Sequence, residues 1–205
     1  VIGIIGKKIG MTRLFGKGGE SQNVTILEAG PCVVTQVKND ESDGYCAVQV
    51  GFGEIREKHV NQPSKGHFDK AGVSPRKYMM EFPMPRGKQP KLGEEVTVSI
   101  FGEGDRVMVK GVSKGRGFSG VVKRHGFSGG RKTHGQSDRL RAPGSIGQAS
   151  DPSRVWPGTK MAGQYGNKTV VTKNLEIVKI DSEKHHLFIR GAVPGSRNSL
   201  VVVTK

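Results

Sequence analysis

The chain has little of what zinc proteins, disulfide-stapled domains and membrane proteins are built from. Only two of its 205 residues are cysteine, Cys32 and Cys46. Each lies in a β-like apolar run (CVVTQV, GYCAVQV), where a buried free thiol is the commoner state, so inert core cysteines are expected rather than a disulfide or a metal pair. The six histidines, His59, His67, His125, His134, His185 and His186, have no CxxC partner and no HExxH spacing, and no metal site is expected. No apolar run reaches the ~18 residues of a membrane-spanning helix, and no amphipathic Lys/Arg helix stands out. The initial VIGIIGKKIG is too short and too interrupted by glycine for the core of an export signal, so neither a membrane partner nor export is expected. Apolar residues make up 34% of the chain, enough for one compact core but not for packing every segment into it. Acidic residues are also scarce: 18 Asp and Glu face 33 Lys and Arg, a net charge of +15, which points to a polyanionic partner.

What is present begins as β structure. Short runs rich in Val, Ile and aromatics, VIGIIG (1–6), NVTILEA (23–29), CVVTQVK (32–38), YCAVQVGF (45–52) and EEVTVSIF (94–101), read as strands separated by turns. The pattern returns in VMVKGV (107–112), TVVTKNLEIVKID (169–181), HLFIRGAV (186–193) and SLVVVTK (199–205). Strands this short and this evenly spaced suggest a mainly β barrel or sandwich. Residues 54–90 read as a small α/β insertion, with a helical turn or two around GHFDKAGV (66–73). The β core is accordingly expected over 1–53, 91–113 and 169–205.

Residues 114–168 are different in kind. These 55 positions hold five Ile, Leu or Val, twelve Gly and three Pro, and neither a 3.6 nor a 2.0 period persists. Such a stretch cannot bury enough apolar surface to offset its own ordering entropy. Its eleven cations, Lys114, Arg116, Lys123, Arg124, Arg131, Lys132, Arg139, Arg141, Arg154, Lys160 and Lys168, face only Asp138 and Asp151, so the segment carries 11 − 2 = +9 and the remaining 150 residues +6. A solvated linker has no use for Phe118, Phe127, Trp156 and Tyr165 interleaved with those cations, whereas nucleic-acid bases are stacking partners for them. The segment is therefore expected to be an extended, non-globular arm that folds on RNA.

Individual motifs carry competing readings. Gly115, Gly117 and Gly120 have GxGxxG spacing after a strand, but VVKRHGFSGG does not continue as the long helix a dinucleotide site needs, and no acid ends a strand about twenty residues on. A backbone phosphate nest flanked by Lys114 and Arg116 suits the residues better. Ser128, His134 and Asp138 are close in sequence but lie in the arm, without a scaffold to fix a nucleophile against a base; His134 is expected to contact RNA instead. Trp156 reads equally as a base contact or as a hydrophobic anchor at the arm's root. In KKIGMTRLF, a β-turn is expected either to offer Lys7, Lys8 and Arg13 to RNA or to leave them as solvated turn cations without a partner, while Met11 and Phe15 enter the core.

Seven stretches together carry a family resemblance: GIIGKKIGMTRLF (3–15), DGYCAVQVGFG (43–53), GHFDKAGV (66–73), GVSKGRGFSGVVKRHGF (111–127), RAPGSIGQ (141–148), GTKMAGQYGN (158–167) and RGAVPG (190–195). In this order they resemble the ribosomal protein L3 family, the universal large-subunit family, in its bacterial form. The resemblance implies a translation-factor-like closed β-barrel with a small insertion, bound to large-subunit rRNA near its 3′ region and acting early in subunit assembly. It implies that the arm's tip, RAPGSIGQASDP (141–152) and within it Pro143, Gly144, Ser145, Ile146, Gly147, Gln148, Ala149 and Ser150, approaches the peptidyl transferase centre without supplying a catalytic group. Two positions depart from the family pattern. Met108 stands where Asp or Asn is usual, and Ser150 stands where some relatives carry a methylated glutamine, so that modification is not assumed.

The sequence therefore predicts a non-enzymatic rRNA-binding constituent of the large subunit, ribosome-bound in the cytoplasm, with an organellar ribosome as the alternative. Its expected partners are rRNA and neighbouring large-subunit proteins, not a second copy of itself, a membrane or a small-molecule substrate. No cofactor is expected, any Mg²⁺ being held by the RNA. An RNA-modifying enzyme would need a cofactor motif or a convergent acid/base set, and neither is found. An extraribosomal nucleic-acid chaperone would share the composition and differ in washing off the subunit.

Overall fold

Branched and aromatic residues in short alternating runs build the first and last parts of the chain into two antiparallel sheets. The computed structural model describes residues 3–16, 18–84 and 90–205. In chain order the elements are β1 (Gly3–Phe15), β2 (Ser21–Ala29), β3 (Cys32–Lys38), α1 (Asp40–Asp43), β4 (Ala47–Glu54), α2 (Gln62–Ala71), β5 (Arg76–Pro83), β6 (Glu95–Val96), β7 (Arg106–Val112), β8 (Phe118–Ser119), α3 (Val121–His125), β9 (Gly163–Gln164), β10 (Thr169–Asp181), β11 (His186–Arg190) and β12 (Leu200–Thr204). By their contacts the residues divide into two units, Val1–Ser113 with Thr169–Lys205, and Lys114–Lys168.

In the first unit six strands close a barrel in the order β1-β12-β7-β10-β11-β2, every pair antiparallel. The mainly β fold with a closed barrel is thus the architecture of the chain. Closure leaves no free sheet edge among these strands over their paired lengths. Alternation is cleanest in β7, where Val107, Val109 and Gly111 are buried and Arg106, Met108, Lys110 and Val112 are exposed. Ile4, Ile5, Leu27, Ile177, Leu187, Ile189 and Val203 are fully buried in the same core.

A second sheet runs β5-β4-β3-β6. Residues 32–38 and 47–53, expected in the barrel, belong to this sheet instead: β3 pairs with β4 and β6, and β4 pairs with β5. Local composition marks a strand but not its partner, which is set by distant register. Both sheets contribute to one core, in which Val34, Val50, Phe52 and Phe82 join the barrel residues. Helix α2 fills the expected helical position, and at ten residues it is nearly three turns long. Asn61 caps it by accepting from the Ser64 N–H at 3.0 Å, and Gly72 ends it in the left-handed region. Its one buried side chain is Phe68.

Other boundaries also shift. The strand expected at 1–6 runs on to Phe15, with a bulge between Lys8 and Gly10, so no turn interrupts KKIGMTRLF; its first two residues lie outside the described ones. The strand expected at 94–101 shrinks to β6 followed by a 3₁₀ turn over Val98–Ile100, because Val96, Val98 and Phe101 all reach the core only if the backbone turns between them. Strand β5 supplies a strand of the expected α/β insertion that the sequence reading did not locate; its signal is the alternation of Tyr78, Met80 and Phe82, half-buried, half-buried and buried. Residues 85–89 of the insertion lie outside the described residues. Met108 is an ordinary strand residue paired with Thr204. Cys32 is buried, its thiol donates to the Ile5 carbonyl at 3.5 Å, and desolvation pushes its pKa up to about 11; Cys46 is half-buried and also free. Among the described residues no helix is long and apolar enough to cross a membrane.

Candidate nucleic-acid interface

The 55-residue basic segment leaves and re-enters the barrel at adjacent points, since Val112 of β7 pairs with Thr169 of β10. Inside the segment the two legs stay paired at first. The Arg116 N–H donates to Tyr165 O and the Tyr165 N–H to Gly117 O, both at 2.9 Å, and β8 then pairs with β9 through Phe118–Gln164 and Ser119–Gly163. Gly166 makes this closeness achievable: its φ is +70°, and a side chain there would strike the Lys114 carbonyl.

The five-residue helix α3 follows, stopped by Gly126 at φ 76°. One turn of helix does begin after the three spaced glycines, but it ends too soon for a dinucleotide site. The phosphate-nest reading also loses a donor, because the Arg116 N–H is already taken by Tyr165. The last turn of α3 is tied to the returning leg: Arg124 Nη1 donates to Met161 O at 2.6 Å, and the His125 Nε2 lies 3.0 Å from the same oxygen. Farther along, the Gly130 N–H donates to Leu140 O at 2.9 Å, and Gly129, at φ +76°, leaves no room for a side chain against that carbonyl.

This framework holds turns without a core. Only Ser119 and Val121 are buried in the whole segment, so the energy that fixes it cannot come from apolar burial within it. Ten of its cations, Lys114, Arg116, Lys123, Arg131, Lys132, Arg139, Arg141, Arg154, Lys160 and Lys168, are exposed, and Arg124 is half-buried by its carbonyl contact. His134 is exposed. Two guanidiniums lie over rings, Arg116 at 5.3 Å from the centroid of Tyr165 and Arg154 at 4.9 Å from that of Trp156. Trp156 is 51% exposed under that guanidinium, and Phe118 is 81% exposed.

The tip residues form a loop of their own. Gly144 to Ser150, with Ser153, Arg154 and Val155, line an open hollow of about 830 Å³. Hydroxyls brace it: Ser145 donates to Gly147 O at 3.0 Å and Ser153 to Ser150 O at 2.5 Å. Pro143, Gln148, Ala149 and Ser150 are all exposed. Among the described residues no three His, Cys, Asp or Glu side chains converge as metal ligands would.

The N-terminal cations are not brought together as expected. Lys8 is buried, and its ammonium donates to Val193 O at 2.7 Å and Gly195 O at 3.4 Å, so it is a structural cation and not a surface contact. Lys7, half-buried, holds its ammonium 5.7 Å from the Phe52 ring centroid. Arg13 is exposed, and so are Met11 and Phe15, which were expected in the core. The overlooked signal is that Met11, Arg13 and Phe15 share one face of a strand, and a cation between two apolar residues on one face keeps that face out of a core.

Comparison with known proteins points one way. Residues 90–187 match the family described as Ribosomal protein L3. The chain is 56% identical over 201 residues to the large ribosomal subunit protein uL3 of Chlorobium limicola, covering 98% of this chain and 96% of that one. It is 53% identical over 203 residues to the uL3 of Herpetosiphon aurantiacus, covering 99% and 95%, and 55% identical over 201 residues to that of Chlorobium phaeobacteroides, covering 98% and 96%.

Proposed function

Because the chain belongs to the ribosomal protein L3 family, we propose that it is a non-enzymatic constituent of the large ribosomal subunit that binds large-subunit rRNA near its 3′ region and promotes early subunit assembly. The observation that carries this reading is a segment with eleven cations, two acids and two buried residues. Such a segment is short of an internal partner and matched to a polyanion.

The physical work is charge neutralisation and positioning. RNA helices repel as they close-pack, and each Lys or Arg that meets a phosphate releases a condensed counterion and relieves that repulsion. The paired legs and glycine turns preset the backbone, so fewer torsions remain to be fixed when RNA is bound. The exposed Phe118 ring is free to stack on a base, and the Arg154–Trp156 pair presents a cation already desolvated on one side. The loop of residues 143–150 is the part directed toward the peptidyl transferase centre, where it shapes the RNA without a catalytic group. The barrel unit serves as the platform that neighbouring large-subunit proteins pack against. Magnesium in the assembly is held by rRNA, and the chain acts in the cytoplasm as one copy on the ribosome.

Sedimentation through sucrose after a high-salt wash tests the reading, combined with limited proteolysis and mass-spectrometric mapping. The chain should remain with large subunits, and cutting between Lys123 and Arg141 should be fast in the free chain and absent in the subunit. Loss of the chain in the wash would indicate a transient RNA chaperone. Equal resistance in both states would mean that the segment is stable without RNA.

A further inference from the structure

Strands β1 and β2 outrun the barrel. Pairing between β12 and β1 spans only Gly3–Lys7, and pairing between β11 and β2 only Val24–Glu28, while β1 and β2 stay paired as far as Phe15 and Ser21. Residues 13–15 with 21–23 are thus a two-stranded ribbon, beside which the described residues place no third strand; the last outside contact is the Gly191 N–H, which donates to the Asn23 carbonyl at 2.9 Å. A lone ribbon is marginal in water and gains from a partner.

The chemistry of one face says which partner. Alternation and register put Met11, Arg13 and Phe15 together with Thr25, Asn23 and Ser21. Met11 is 53% and Phe15 76% exposed, and Arg13 is exposed between them. None of the six is a carboxylate. An apolar protein surface closing over Met11 and Phe15 would bury the guanidinium with no counter-charge on this face. RNA supplies a phosphate for Arg13 and a base for the ring at one nucleotide spacing, and Asn23 and Ser21 offer donors to sugar or phosphate oxygens. We infer that the free end of the β1–β2 ribbon is a second RNA contact, separate in sequence from the basic segment, in which the Phe15 ring stacks on an unpaired base and Arg13 pairs with the adjoining phosphate. The inference rests on the rRNA-binding reading above.

The test is titration of the full chain against a labelled transcript of the 3′ region of large-subunit rRNA at several salt concentrations. Phe15→Leu, which keeps apolar bulk and loses the aromatic face, should weaken binding roughly fivefold to a hundredfold with the salt slope unchanged. Phe15→Trp should bind like the parent chain. Arg13→Ala should lower the magnitude of the log–log salt slope by about 0.7 to 0.9, and Arg13→Lys should leave it intact. Without any variant, ultraviolet crosslinking of the parent chain to the transcript should leave a nucleotide adduct on the tryptic peptide 14–17. Parent-like affinity of Phe15→Leu, or an adduct confined to residues 114–168, would overturn the inference. Phe15→Leu weakening only the binding of a large-subunit protein would overturn it in favour of a protein contact. Failure of the parent chain itself to bind the transcript would instead strike the rRNA-binding reading, and the ribbon contact with it.

Discussion

Replacing Lys8 by methionine keeps the aliphatic stem and removes the ammonium. The Val193 and Gly195 carbonyls, both on buried residues, would then lose a donor now 2.7 and 3.4 Å away. A hydrogen bond from a charged donor contributes about 1.5–3 kcal/mol net, and an orphaned buried acceptor costs about 1–3 kcal/mol. The longer contact counts for little, and methionine avoids the desolvation of the ammonium, which offsets part of the loss. The expected destabilisation is about 2 kcal/mol. With a urea m-value of about 2 kcal/mol/M the unfolding midpoint should fall by about 1 M, followed by far-UV circular dichroism on the full chain. Lys7→Met, which removes only a half-buried cation–ring contact, should cost under about 1 kcal/mol. The salt slope of RNA binding by Lys8→Met, measured below the unfolding transition, should match that of the parent chain. An unchanged midpoint with a shallower slope would refute the reasoning and return Lys8 to the RNA-facing surface.

Two further outcomes follow from the titratable groups. With its pKa pushed up to about 11, the Cys32 thiol is almost wholly protonated at pH 8, so a disulfide reagent should titrate one thiol, that of Cys46, quickly and the second only after denaturation; two fast thiols would contradict the burial of Cys32. Glu81 is held below the usual carboxylate range chiefly by its hydrogen bond from Lys38, 2.8 Å away, and next by that from Tyr45. A depressed carboxylate stabilises the fold above its unfolded pKa of about 4.3, and that stabilisation is lost as pH falls through the lower folded value. Glu81→Gln should therefore flatten the acid side of the stability–pH curve below about pH 5 while lowering stability at pH 7, and an unchanged acid limb would count against the pair.

Much of the β fold was legible because it is written locally. Val107, Val109, Val201 and Val203 announce strands by alternation and branching, and GHFDKAGV announces a helical turn or two between flanking Gly and Pro, whereas the Asn61 cap was seen only in the structure. Strand partnership was not legible: nothing within 32–53 says that these strands leave the barrel for a sheet completed by β5 and β6, because the pairing reaches as far as Cys32 with Val96, 96 − 32 = 64 positions apart. The cations divided in the same way. The excess charge of 114–168 is a sum and can be counted from sequence, whereas the fate of Lys8 depends on the bulge beside it and on two carbonyls supplied from 185 positions downstream or more. Neighbouring Lys7 and Lys8 are indistinguishable as letters and opposite in environment. Met11 and Phe15 were misplaced for a related reason, since the strand continues past the point where its outer partners stop.

The most direct test of the central claim, that residues 114–168 bind rRNA through many phosphate contacts at once, is the salt dependence of binding of the full chain to the 3′-region transcript. If at least seven of the eleven cations meet phosphates, the log–log slope should have a magnitude above about 5, at about 0.7 to 0.9 per phosphate. Changing Arg131, Lys132, Arg139 and Arg141 together to glutamine should lower it by about 3. A slope of about one or two, or a fourfold variant indistinguishable from the parent chain, would contradict the claim and leave the basic segment without its partner.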